Sequence, residues 1–403
     1  MRALVLAAAL SGCVGPFSPL PSATPPSRTG LLRAAPVEIA RLDGVVIVDG
    51  GLSGLDVRDG AWWAVADRGP NLEAEARVGR PAKRFALPDY APPLVRLGVV
   101  RGTLTVDERR PIRRPDGTPV TGRPPAADGA ETETPLGPDD AVLALDAWGI
   151  DAEGLAFAGR DLWVTDEYRP SLWRLDAATG RVLERWTPAP SHPVDRALPP
   201  VVAGRQPNLG FEGVAISDGR VVASLQGPIV TATADPATPF VRILSLDPES
   251  GTAETFAYPM AGPQRKVGDL AALGDRVLLV LEHGLDAGGT WSGQVYAVRL
   301  EPADALGDAE PERHATVGAA RADGVPVLDK ALVLDLVPSG WPADLHKPEG
   351  LAVVDGTHLV VLSDNDYGVD APAADGRPVA TGQPTTLAVF RVPALQAISS
   401  ARR

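Results

Sequence analysis

With a single cysteine in 403 residues, no intramolecular disulfide can be made, so packing alone must hold whatever folds here. Histidine is nearly as scarce: His192, His283, His314, His346 and His358 are scattered over unrelated surroundings, and only His283, beside Glu282, suggests a role in chemistry. A zinc-type centre built from His and Cys is therefore excluded as a reading. The chain contains no G-x-S-x-G elbow, no H-E-x-x-H, no Walker loop and no G-x-G-x-x-G, which removes the common hydrolase, metalloprotease and nucleotide-binding signatures. Positive charge is also in deficit. A net charge of −13 with acids spread along the chain argues against a nucleic-acid partner and for a cation or a cationic ligand. Glycine and proline are plentiful, 42 and 41 residues dispersed over the whole length, and they divide the chain into many short elements. That pattern favours an all-β architecture.

The one cysteine stands in "MRALVLAAALSGCVG". An arginine, a short apolar run and the sequence Leu10-Ser11-Gly12-Cys13 resemble a bacterial lipobox, which implies cleavage before Cys13 and acylation of that residue. A plain secretory signal with an incidental cysteine is the alternative, and the run is too short to span a bilayer as a helix. Val14 after the cysteine resembles lipoproteins sent to an outer membrane. The expected organisation is a signal peptide over 1–12, lipidated Cys13 with a Pro/Ser-rich tether over 13–36, a folded domain over 37–396 and a tail over 397–403. Such a protein belongs in the bacterial cell envelope, periplasmic or surface-facing, held to the membrane as a monomer.

Five segments of the chain align. They begin at "LSGLDVRDGAWWAVADRGP", "DAEGLAFAGRDLWVTDEYRP", "GFEGVAISDGRVVASLQGP", "VGDLAALGDRVLLVLEHG" and "KPEGLAVVDGTHLVVLSDND". Each joins two β-rich runs through a turn containing Gly or Asp, the pattern of an antiparallel hairpin. The intervals Gly54 to Asp67, Gly154 to Asp166, Gly213 to Gln226, Asp269 to Glu282 and Gly350 to Asp364 all fall between 12 and 14 residues. Spacing between repeats leaves room for two outer strands each, as in a propeller blade. "PLVRLGVVRGTLTV", "SLWRLDAATGRVLERW", "FVRILSLDPESGTAETFAY" and "QVYAVRLEP" read as those outer strands. The expected fold is a β-propeller with five visible blade hairpins and six blades, the sixth lying in 285–345 or divided between the chain ends. "TTLAVFRVP" near the C-terminus should close the ring against an N-terminal strand. A β-sandwich is the competing architecture, but it does not require equal hairpins with acidic ends.

The start of the first strand and the end of the second are neighbours at a hairpin's open end. Arranged around a propeller channel, those ends gather Asp67, Asp151, Glu153, Asp166, Glu167, Glu212, Asp269, Glu282, Glu349, Asp364 and Asp366 into one funnel. So many carboxylates repel unless a cation joins them, and an oxygen-only donor set of irregular shape suits Ca²⁺. Capping of local turns is the alternative role for any one of these acids. Glycine after Glu153, Glu212 and Glu349 permits a bend that aims the preceding carboxylate inward. Arg68, Lys83, Arg84, Arg169 and Lys347 lie near hairpin ends, where they could hold an anion between guanidinium or ammonium groups and the metal.

The set "ADRGP", "DAEGLAF" with "LWVTDEYRP", "NLGFEGVAI" and "KPEGLAV" with "LSDND" resembles the phytase-like, or esterase-like activity of phytase, family of secreted bacterial propellers over most of the chain from Val37 to Pro393. The resemblance implies a propeller with phosphoester hydrolase activity and, by looser similarity to propeller phytases, calcium. On this sequence the family's motif acids fall at Asp67, Asp151, Glu153, Asp166, Glu167, Glu212, Glu349, Asp364 and Asp366, while Gln226 departs from the acidic pattern. The segment 111–140, rich in Pro, Gly and Asp, looks like a loop inserted over the funnel.

These observations lead to a lipid-anchored, Ca²⁺-dependent phosphoric-ester hydrolase acting on a small phosphorylated ligand. Glu153, Asp166 and Glu167 are assigned to the chemistry. Asp67, Asp151, Glu212, Glu282, Glu349, Asp364 and Asp366 are assigned to the metal, and Arg68, Lys83, Arg84, Tyr168, Arg169 and Lys347 to the substrate. A lactonase-type metal hydrolase and a non-catalytic envelope propeller that binds a ligand or partner are the alternatives.

Overall fold

The structure is a computed structural model and describes residues 24–400 apart from 78, 126–132, 275, 287 and 371–378, so Cys13 lies outside the described residues. Each of the five aligned segments is an antiparallel hairpin, as their turn-separated β-rich runs require. Two further strands extend each hairpin outward into a blade. The first blade runs Leu52–Arg58, Ala61–Ala66, Pro93–Val100 and Thr103–Pro111. The second runs Ala152–Ala158, Asp161–Asp166, Ser171–Asp176 and Val182–Thr187, with Asp195–Ala197 added in parallel at its edge. Phe211–Ser217, Arg220–Leu225, Phe240–Leu246 and Ala253–Pro259 form the third; Gln264–Gly274, Val277–Leu285, Trp291–Arg299 and Lys330–Asp335 form the fourth. In the fifth, Pro348–Asp355, His358–Ser363 and Thr386–Arg391 are completed by Ser27–Arg33 from the other end of the chain.

The inner strands contact one another in a closed cycle from the first blade to the fifth and back, so the ring has five blades among the described residues. The expected sixth blade is corrected by this closure. Residues 285–345 supply the outer strands of the fourth blade together with three short helical segments, and the chain ends share the fifth blade. The expected tether and tail boundaries also move. Ser27–Arg33 pairs along Thr386–Arg391, and helix Ala394–Ser400 sinks Leu395 and Ile398 into the core between the last two blades.

Apolar side chains hold blade to blade. Trp63, Val65 and Leu94 of the first meet Leu162, Val164 and Trp173 of the second, and Leu279 and Val295 of the fourth meet Val361 and Phe390 of the fifth. At the channel the inner strands come too close for side chains. A Cβ at Gly154 would stand 2.5 Å from the carbonyl oxygen of Glu212, and one at Gly54, where φ is +58°, would stand 2.7 Å from the Cα of Gly154. Every inner strand shifts register at this level: between Ser53 and Leu55, Ala152 and Leu155, Phe211 and Val214, Val267 and Asp269, and Pro348 and Gly350. The bulges turn the residues on their mouth side toward the axis.

Candidate functional site

Three positions of each hairpin end look toward the mouth because the bulge fixes their direction. In the second blade they are Asp151, Glu153 and Glu167; in the third, Gly210, Glu212 and Gln226; in the fifth, Lys347, Glu349 and Asp364. The last residue of each set donates its backbone N–H to the carbonyl of the first, at 2.9 Å in all three blades. In the first blade Asp67 does the same to Gly51 at 2.8 Å, and in the fourth Lys266 pairs with His283. The resulting funnel has a volume of about 360 Å³, and nine carboxylates against four cations line it, leaving a clear negative excess for a cation to balance.

Of the expected residues, Asp67, Arg68, Lys83, Asp151, Glu153, Glu167, Glu212, Lys347, Glu349, Asp364 and Asp366 do come together here. Among the described residues, Asp151, Glu153 and Glu167 form the one group whose candidate ligand oxygens all lie within 4.8 Å of one another, and all three are buried. Burial pushes Glu153 well up from the usual carboxylate range, and the charges of Glu212 and Asp151 push it further. Glu167 is raised by burial and by Asp151, and Glu212 by burial and by Glu167. Asp67, also buried and facing Asp151, is raised to about 7. Arg68 serves this side, its Nη1 3.0 Å from Asp151 Oδ2 and 3.4 Å from Glu133 Oε1, while its backbone N–H donates to Asp151 Oδ1 at 3.1 Å.

On the fifth-blade side of the funnel one lysine faces three carboxylates, and burial raises Asp364 well above its ordinary value. Lys347 Nζ lies 2.7 Å from Asp364 Oδ2, 2.7 Å from Asp366 Oδ1 and 3.6 Å from Glu349 Oε2. Burial raises Asp366, but Lys347 outweighs it and leaves that carboxyl below its ordinary value.

Six expected residues point elsewhere. Asp166 accepts from the backbone N–H groups of Asp151 and Tyr168 and from Ser171 Oγ, so it braces the hairpin end instead of facing the funnel. Glu282 stands at the equivalent place in the fourth blade. Its oxygens are occupied by Tyr258, Lys330, the Ala261 N–H and Arg265 Nε, which removes it from the metal set. Successive residues of a strand face opposite sides, so Lys83 reaches the funnel, where it pairs with Glu73, while Arg84 turns away to Asp43 at 2.6 Å. Tyr168 is fully buried, donating to Gly122 O at 3.0 Å, and Arg169 donates to Ala147 O at 3.4 Å. Asp269 occupies its blade's glycine position at the channel waist, where it accepts from Leu55, Leu270 and Leu351 N–H groups.

Lys266, Gln226, Asn208 and Glu73 line the funnel without having been expected there. Lys266 stands at the same hairpin position as Lys347, a signal that aligning the repeats two residues before the bulge would have exposed. Gln226 Nε2 donates to Glu212 Oε2 at 2.8 Å while its buried Oε1 has no hydrogen-bond partner, so it still offers an oxygen to a cation. The inserted loop contributes Glu133 behind Arg68.

The chain belongs to the phytase-like family: the model described as "esterase-like activity of phytase" matches residues 48–367, in agreement with the motif resemblance. No curated protein matches the sequence. Among solved structures, Myxococcus xanthus glutaminyl cyclase is similar at 10% identity and a TM-score of 0.35, over 92% of this chain and 99% of that one. The PQQ-bound aldose sugar dehydrogenase of Streptomyces coelicolor is similar at 14% identity and a TM-score of 0.31, over 91% and 100% of the two chains.

Proposed function

We propose that this phytase-like propeller is a Ca²⁺-dependent phosphoric-ester hydrolase working at the second-blade end of its funnel. The observation that carries the reading is the buried triad of Asp151, Glu153 and Glu167, within 4.8 Å of one another and beside Arg68. Three like charges at that spacing are costly unless a cation joins them, and hard oxygen donors suit calcium. Those three carboxylates would hold the ion, with Gln226 Oε1 and Glu212 nearby. A cation there supplies neutralisation of phosphate charge and a bound water of lowered pKa.

The chain's own residues do the rest. Arg68 and Lys266 line the cavity and would hold phosphate oxygens, while Lys83 and Lys347 are paired with Glu73 and with Asp364 and Asp366. Glu212, with Oε2 accepting from Gln226 and its acidity weakened by burial, is the group placed to protonate a departing oxygen. Asp166 acts at one remove by fixing the backbone that carries Asp151. Anchoring in the cell envelope through acylated Cys13 is part of the same proposal, and acyl labelling of the wild type but not of Cys13→Ser checks it.

Phosphate release from a panel of phosphomonoesters, with calcium added and then chelated, tests the activity. Release that needs calcium and is lost in Glu153→Gln supports the proposal. Lactone hydrolysis without phosphate release would move the assignment to a lactonase-type enzyme, and calcium binding with neither activity would make the protein a ligand-binding envelope propeller.

A further inference from the structure

The tips of the five inner hairpins lie on the face opposite the funnel, and the N-terminal strand begins there too. Ser27 pairs with Arg391, which pairs with His358 at the hairpin turn of the fifth blade. The residues that precede the propeller are therefore attached to this face and not to the rim of the funnel. Between the first and second blades the same face opens into a cleft of about 450 Å³ carrying Arg58, Arg96, Arg110 and Arg160 around Trp63 and Phe157. In a chain whose net charge is −13, four guanidinium groups against the two lining acids Asp59 and Asp176 leave the cleft with a local positive excess.

The cleft is built, and its charges are held in place. Arg58 lies 4.8 Å from the centre of the Phe157 ring and Arg110 lies 5.3 Å from that of Trp63, while the two rings meet edge to face at 5.8 Å. Stacking orients a guanidinium and leaves its edge donors available. Glu108 and the Ala177 carbonyl engage Arg110, and Asp107 lies 3.5 Å from Arg96, so those two form the wall. Arg58 and Arg160 stand at the rim. Of the two acids in the lining, exposed Asp59 lies 3.6 Å from Arg58 Nε, and Asp176 is turned into its own loop, where Oδ1 accepts from the Thr179 N–H and hydroxyl at 2.8 and 2.7 Å. On the same face the outer hairpin tip of the first blade exposes Val99 at 45% and Val100 at 57%, immediately before Arg101. Apolar tips beside arginines are the chemistry of a surface that meets lipid headgroups.

We infer that this face docks on anionic lipid headgroups, with Arg58 and Arg160 contacting phosphates, so that the acidic funnel opens away from the bilayer. The inference extends the anchored reading of the protein and assigns it an orientation. Each basic residue at an anionic surface strengthens association by about fivefold, and a tether already holding the chain at the membrane lets so small a contribution set the pose.

The test leaves Cys13 out, so that failure of acylation and failure of docking remain distinct. The chain from Thr24 keeps every strand of the five blades and contains no cysteine. Given an N-terminal hexahistidine tag, it is held on vesicles by nickel-chelating lipid and labelled through Val100→Cys or, on the funnel side, Val142→Cys. With 30 mol% phosphatidylglycerol in place of pure phosphatidylcholine, quenching of the label at position 100 by a soluble quencher should fall several-fold, and quenching at position 142 should not change. Arg58→Glu with Arg160→Glu should restore it. Equal quenching on both vesicle types, or protection that survives the double charge reversal, overturns the inference. So does release of the protection by millimolar inorganic phosphate, which would make the cleft a site for a free anion.

Discussion

The second and fifth blades present the same hairpin end to the funnel, with a carboxylate before the bulge glycine and another at the end of the following strand. They differ two residues before the bulge, where the second blade has Asp151 and the fifth has Lys347. In the fifth blade Lys347 reaches Asp364, Asp366 and Glu349. In the second, Asp151 adds to the charge of Glu153 and Glu167, and only Arg68 stands against it. One position in a shared frame thus separates an end whose lysine touches all its carboxylates from one where a third carboxylate stands in the lysine's place.

Removing a carboxylate from the second blade should have the largest effect. Glu153→Gln, nearly isosteric, is expected to weaken calcium binding and phosphate release by about a hundredfold, since ligand charge count governs affinity at such sites. Isothermal titration alongside the phosphatase assay measures both. Next comes Lys347→Ala, which removes the fifth blade's own cation. With the lysine partly exposed, its loss should destabilise the metal-free protein by about 1–3 kcal/mol and raise the number of bound calcium ions from one to two. Denaturation with and without calcium reads the first effect and titration stoichiometry the second.

Acidity sharpens the same contrast. Burial raises Glu153, Glu167 and Glu212, and it raises Asp67 to about 7, so the folded metal-free protein keeps protons that the unfolded chain releases above its ordinary carboxylate range, roughly pH 4. Stability contributed by protonated Asp67 is present at low pH and is lost as pH rises through about 7, and that of the three glutamates is lost above the ordinary carboxylate range. The melting temperature should fall over that interval without calcium and stay level with it, because the ion replaces the protons. The smallest effect is expected for Gln226→Glu, which supplies the acid missing from the third blade. It should tighten calcium binding by a few-fold above pH 7 and lower the melting temperature of the metal-free form.

The repeated hairpins were legible in the sequence because five turn-separated β-rich runs share one spacing, and the outer strands followed from what lay between them. The glycines after Glu153, Glu212 and Glu349 were legible as bends that aim the preceding carboxylate, whereas their close approach to neighbouring inner strands was not. Parity within a pair was not. Asp166 and Glu167 are adjacent, as are Glu282 and His283, and a shift of one residue decides which side chain faces the funnel. The same alternation separates Lys83 from Arg84. Closure of TTLAVFRVP against an N-terminal strand was legible, but Ser27–Arg33 reads as part of the tether because a half-exposed edge strand reading SRTGLLR lacks apolar alternation. The pairing of Lys347 with three acids depends on side-chain reach across a hairpin end, which spacing alone does not report.

A crystal soaked with calcium and phosphate tests the central claim most directly. The account predicts anomalous density for one ion among Asp151, Glu153 and Glu167, phosphate between it and Arg68, and no ion beside Lys347. Calcium bound at the fifth-blade end, or an empty second-blade triad at saturating calcium, would contradict it.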